Sequence, residues 1–170
     1  MTEYRPRLFE SDEAIRHVGE GLVARTLPRE EWTHEAHLAA CTWIVRDRPD
    51  LAAERDLPGI IARYNVSVGG VNDDHNGYHE TITQCFIRGV RLHLAERPAG
   101  EALAECVNAL LLSERGRRDW PFRFYSKDRL FTVAARKGFI QPDLAPLPLL
   151  DGGQARPTSR SAGQGPSSSA

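Results

Sequence analysis

The stretch Glu31–Trp43 reads EWTHEAHLAACTW, with His34 and His37 three residues apart and an alanine-rich apolar run behind them. Side chains at that spacing are neighbours on one helical face, with Cβ atoms about 5–6 Å apart. Neutral imidazole is the commonest metal ligand, and it is a proton acceptor near neutral pH. The zinc-protease signature HExxH needs its histidines at i and i+4, with the glutamate acting on a metal-bound water. Here the spacing is i, i+3, and Glu35 is expected to turn away from the shared face, so that chemistry is not read. A second histidine pair stands in HNGYHET, residues 75–81. His79 sits beside Glu80 and close to the apolar positions Ile82 and Phe86, which carry it toward the interior. Glu31 and His34 have the Glu-x-x-His spacing of di-iron bundles, but the second helix offers His-Glu instead, so only half of that pattern is present. The expected centre is mononuclear: His34, His37 and His79 hold one divalent ion, zinc or iron, with a coordination position open. Glu80 is expected to orient a ligand or to act as general base.

A third segment, FRFYSKDRLF (residues 122–131), supplies Tyr125 and Arg129 as further catalytic candidates. Arg129 falls in the first turn of the helix expected after Ser126. The helix dipole favours anions at that end. Arg129 therefore needs another reason to be there: an ion pair with a carboxylate such as Glu80, or a bidentate grip on a substrate carboxylate. His17 and His93 read as ordinary hydrogen-bonded histidines, and His75 falls in a polar loop. The basic run ERGRRD reads as a solvated turn.

These residues need elements to hold them. Ser11 followed by Asp12 and Glu13 marks a helix start, with Ile15, Val18, Leu22 and Val23 at helical spacing after it. The second helix, which carries His34 and His37, starts between Pro28 and Thr33 and ends before Pro49. A third is expected from Pro58, carrying Ile60, Ile61 and Tyr64. Residues 67–77, SVGGVNDDHNG, read as a loop. A fourth helix spans about Tyr78 to Arg97, with Ile82, Phe86, Val90 and Leu94 as its stripe. A fifth spans about Glu101 to Glu114. A sixth runs from near Ser126 to Gly138, with Arg136 and Lys137 in its last turn. No strand or hairpin pattern occurs. The expected fold is all-α: a compact bundle of five to six helices in one domain, residues 1–150. Its C-terminal end, FIQPDLAPLPLL, should run extended over the surface. Residues 151–170, rich in Gly, Ser and Pro, are expected to form a disordered tail.

Composition narrows the function classes. With 170 residues, 41% hydrophobic and 26% charged, the chain suits a single globular domain. Twenty-two basic against 23 acidic residues give a formal net charge of −1, with no electrostatic case for nucleic acid or an anionic membrane. No apolar run reaches the ~18 residues of a transmembrane helix, and MTEYRPRLFESDE lacks a signal peptide's apolar core. A cytoplasmic location is expected. The three cysteines are well separated and form no CxxC pair, so buried reduced thiols are expected.

WTHEAHL, YHETIT and YSKDRLF, closing with FIQPDLAPLP, resemble the motifs of a family of small, uncharacterised bacterial proteins. In that family Thr-His-x-x-His-Leu is followed by Tyr-His-Glu-Thr and Tyr-Ser-x-x-Arg-Leu-Phe. The resemblance spans roughly Leu27 to Pro148. It implies that His34, His37, His79, Glu80, Tyr125 and Arg129 belong to one constellation. The function expected is a small metal-dependent enzyme with a buried histidine-rich pocket. Its substrate would be a small polar molecule, one bearing a carboxylate if Arg129 meets it, and its reaction hydrolysis, elimination or iron-dependent oxidation. The alternative is a non-catalytic module holding a metal or small ligand in the same pocket.

Overall fold

The computed structural model describes residues 3–150; the tail expected over residues 151–170 lies outside them. Seven helices follow in order: α1 (Asp12–Ala24), α2 (His34–Asp47), α3 (Ala53–Ser67), α4 (Glu80–Ala95), α5 (Leu103–Leu112), α6 (Lys127–Leu130) and α7 (Val133–Lys137). There is no strand among the described residues. None of these helices is long and apolar enough to cross a membrane.

Side-chain caps set most of the starts. Ser11 Oγ accepts from Ala14 N at 3.1 Å, and Thr33 Oγ1 accepts from Ala36 N at 3.2 Å. Each such cap stabilises its helix by about 1 kcal/mol. Between Pro28 and Thr33 the chain makes a short 3-10 turn, Arg29–Glu31, so α2 starts only after the Thr33 cap. The helix expected from Pro58 begins five residues earlier, at Ala53, and contains Pro58. A proline there cannot donate to the carbonyl four residues back. That carbonyl, Glu54 O, accepts from Gln84 Nε2 of α4 at 2.9 Å instead. The single helix expected over residues 126–138 is two short ones. Thr132 interrupts it by capping α7, accepting from Ala135 N at 3.1 Å.

The helices α1 to α5 enclose the main core, where Ile15, Leu22, Leu38, Ile44, Val90 and Leu110 are sealed from solvent. The helices α1 and α2 pack tightly together. The Trp43 ring lies so near Gly19 that an added Cβ would overlap it. A smaller cluster of Cys85, Trp120, Phe124, Tyr125 and Leu130 fills the space between α4 and the C-terminal helices. Phe86 packs against both clusters. All three cysteines are buried and unpaired.

Residues 138–150 form an irregular strap across the smaller cluster. Thr81 Oγ1 donates to Gly138 O (2.9 Å) and accepts from Ile140 N (3.2 Å). Tyr125 OH donates to Ile140 O at 2.8 Å, Leu144 N to Phe124 O at 2.9 Å, and Arg88 Nη1 to Pro148 O at 2.8 Å. Thr81 is fully buried and serves the strap as donor and acceptor at once. Thr81→Val keeps the shape and removes both bonds, leaving the half-buried Gly138 carbonyl and Ile140 amide without that partner. The expected loss is about 1–3 kcal/mol in urea unfolding, with faster protease cleavage between residues 138 and 150. Unchanged stability and cleavage would show that the strap is held elsewhere.

Candidate functional site

The site starts at the cap of α2. Thr33 is extended (φ −87°, ψ 174°), and its carbonyl faces the first turn. It accepts the backbone N–H of His37 at 3.0 Å and the ring Nδ1–H of His37 at 2.7 Å. A carbonyl oxygen can only accept, so the neutral His37 ring carries its proton on Nδ1 and leaves Nε2 with a free lone pair. Trp32 stacks on this ring at a centroid distance of 3.7 Å.

His34, one turn earlier, makes the opposite choice. Its Nε2 donates to Gly116 O at 2.8 Å, which leaves Nδ1 free. Gly116 can present that carbonyl because it has no side chain; an added Cβ would overlap the carbonyl of Leu110. No buried side-chain nitrogen or oxygen lacks a partner among the described residues. His34 Nδ1 has no protein partner there, so it must be reached by solvent.

Both rings line a cavity of about 360 Å³ between α2, α3 and α4. Leu38, Leu57, Ile61 and Ile87 give it an apolar lining, Trp32 and Phe86 are its aromatic walls, and Arg118 stands at its rim. Phe86 meets the His34 ring edge-on at 5.5 Å. The volume lies in the range of small-molecule sites.

Burial lowers the basicity of both imidazoles. His34 falls below its ordinary value mainly through desolvation, and the nearby Arg118 charge adds to the fall while the Gly116 bond opposes it. His37 falls to about 4, again chiefly by desolvation, with His34 and Arg118 adding and the Thr33 bond opposing. His37 is densely surrounded by protein and yet solvent-accessible. The two facts agree if its accessible surface faces the cavity, where water screens part of the effect. Both rings are neutral at pH 7.

His79 does not join them. It is the N-cap of α4: Nδ1 accepts from Ile82 N at 3.2 Å and Nε2 donates to Leu130 O at 2.9 Å. Both ring nitrogens are occupied, the residue is 8% exposed, and it does not line the cavity. Glu80 accepts from Tyr78 OH at 2.5 Å and from Gln84 Nε2 at 2.9 Å, and it too lies outside the cavity lining. Tyr125 is committed to the strap, and Arg129 Nε donates to Gln141 O at 2.6 Å, also on the strap. The expected constellation thus divides. His34 and His37 face the cavity, whereas His79, Tyr125 and Arg129 fasten α4, α6 and the strap together. Glu80 does not approach Arg129; its partners are Tyr78 and Gln84. His75 is exposed on its loop, and His93 is buried with Nε2 donating to Cys106 O at 2.8 Å. Glu35 does turn from the histidine face. It is buried at 8% exposure, where it accepts from Tyr4 OH at 3.0 Å. Among the described residues no group of three or more His, Cys, Asp or Glu is arranged to hold a metal ion.

No family of known proteins, no curated protein and no solved structure matches the chain.

The imidazole shifts fix a sign for pH dependence. Above about pH 6.5 His37 is neutral folded and unfolded, and contributes nothing. As pH falls from there to about 4, the unfolded chain takes a proton that the folded chain refuses, so stability is lost in that window. His37→Gln should remove part of that loss. Urea unfolding at pH 7 and pH 4.5 measures it, the variant showing the smaller drop. An equal drop in both proteins would mean that His37 titrates normally.

Proposed function

We propose that the protein is an enzyme acting on a small molecule held in the cavity between α2, α3 and α4, with His37 as the proton acceptor. The observation that carries this reading is the pairing of two neutral imidazoles in one accessible cavity, each with one N–H fixed on a backbone carbonyl and one nitrogen free. A fixed N–H sets the tautomer and aims the remaining lone pair, as a general base requires. His37 Nε2 takes a proton from the substrate or from water, while its Nδ1–H stays on Thr33 O. Desolvation and the Arg118 charge disfavour the resulting imidazolium, so the proton is readily handed on to a leaving group. Hydrolysis and elimination both fit this use of a base.

A second reading keeps the expected divalent ion, zinc or iron, and rests on the same two free nitrogens. His34 Nδ1 and His37 Nε2 would be its protein ligands, and solvent or substrate would complete the set. Such an ion would supply Lewis-acid activation of water or a carbonyl. In either reading His79, Tyr125 and Arg129 serve the scaffold.

The test uses protein purified without a polyhistidine tag, before and after chelator treatment, on a panel of small esters, lactones and hydroxy acids. Wild-type turnover should fall about a hundredfold or more in His37→Gln, while Glu80→Gln stays within severalfold. Turnover that survives chelation supports the base; turnover lost with a stoichiometric metal, and restored by it, supports the ion. Wild-type activity retained in His37→Gln would overturn the proposal. A panel without turnover on a protein that still binds its members would favour the non-catalytic module.

A further inference from the structure

Three of the four arginines between residues 114 and 123 are neutralised. Arg115 pairs with Glu96 at 2.8 Å, Arg117 pairs with Asp119 at 3.0 Å, and Arg123 pairs with Glu114. Arg118 forms no ion pair among the described residues, and it is the one charged side chain in the cavity lining. Its place at the rim depends on the turn that presents Gly116 to His34. The 3-10 turn Glu114–Gly116 packs on α4 and α5, and the next, Trp120–Arg123, is anchored by buried Trp120. Arg118 is carried between these two fixed points. Its polar neighbour is the Tyr4 hydroxyl of the N-terminal segment, which carries no charge at pH 7.

The rest of the lining constrains what would lie beneath that cation. Trp32, stacked on His37, and Phe86 are aromatic, and Leu57, Ile61, Ile82 and Ile87 are aliphatic. Apart from Arg118 and the two neutral imidazoles, the polar lining comes from Thr33, Thr83 and Cys41, none of them charged at pH 7. A cavity of about 360 Å³ has room for roughly a dozen water-sized groups. A sugar would find too few donors and acceptors in such a lining, and an organic cation would meet no opposite charge. A planar apolar body with one anionic group meets every part of it. Its body lies between the aromatic walls, its anion meets a guanidinium that takes carboxylates in bidentate fashion, and its reacting atoms fall near His37.

We infer that Arg118 is the anion-recognition residue of this cavity and that the substrate class is small aromatic carboxylates. This deepens the reading of the cavity as a substrate site and rests on it. Arg118, rather than Arg129, then holds the carboxylate.

Phenylacetate and its neutral isostere phenylacetamide separate the two ideas. Each is titrated into wild-type protein, Arg118→Gln, and the control Arg117→Gln, while imidazole and amide resonances are followed by NMR. Arg118 is exposed, so its variant should stay folded, as the amide spectrum will show directly. Phenylacetate should move the His34 and His37 resonances and bind wild type and Arg117→Gln about tenfold more tightly than phenylacetamide does, and Arg118→Gln should remove that preference. If both probes move the histidine resonances with equal affinity, or if the preference survives in Arg118→Gln, the Arg118 assignment is overturned while the cavity remains a ligand site. If neither probe moves those resonances, the aromatic-carboxylate class is overturned; should the esters and lactones of the wider panel also leave them unmoved, the substrate-site reading falls with it.

Discussion

An imidazole packed against protein must give its N–H to something, and for four of the histidines here that something is a backbone carbonyl. His34 donates to Gly116, His37 to Thr33, His79 to Leu130 and His93 to Cys106. For the buried rings of His79 and His93 an unpaired donor would cost about 1–3 kcal/mol, and the bonds of His34, His79 and His93 each tie a helix to the segment that supplies the acceptor. The bond also fixes the tautomer, and the second nitrogen then decides what the residue can do. In His79 that nitrogen caps α4, and the ring becomes part of the scaffold. In His34 and His37 it has no protein partner among the described residues, and both rings line a cavity.

The remainder of the architecture serves this division. The Thr33 cap ends a 3-10 turn, starts α2 and supplies the acceptor for His37, so one residue sets both the helix and the ring. Gly116 lets the 114–116 turn come close enough to receive His34, and the same turn carries Arg118 to the cavity rim. On the far side of α4 the strap is bonded to Thr81, Tyr125, Arg129 and Arg88. That face fixes the N-terminal end of α4, from which Ile82, Phe86 and Ile87 reach the cavity. Motif residues distant from the cavity thus act on it through the helix they hold.

Much of this was legible in local sequence. Ser11 reads as a cap, the start of α2 is bracketed between Pro28 and Thr33, the apolar stripes give the helices, and the His34–His37 spacing puts both rings on one face. What was missed depends on contacts distant in sequence. Pro58 reads as a helix start because nothing near it shows that Gln84, 30 residues from Glu54, takes the freed carbonyl. His79 reads as a ligand because its helical position points inward. Its place just ahead of Glu80 and Thr81 was a usable sign of a cap, since an acidic first turn commonly follows one. Tyr125 and Arg129 read as chemistry because the strap that occupies them has no periodic pattern. Arg118 sits in a run that reads as a solvated turn, and only the tertiary pairing of its neighbours singles it out.

The division of the histidines is open to direct measurement through the imidazole nitrogens. Long-range proton–nitrogen NMR of the ring at pH 7 distinguishes Nδ1–H from Nε2–H for each histidine. The structure requires the Nδ1–H tautomer for His37 and the Nε2–H tautomer for His34 and His79. On adding zinc or a cavity ligand, the free nitrogens of His34 and His37 should shift while both nitrogens of His79 stay where they are. A His79 ring that shifts together with the other two, or a His37 ring protonated on Nε2, would contradict the account.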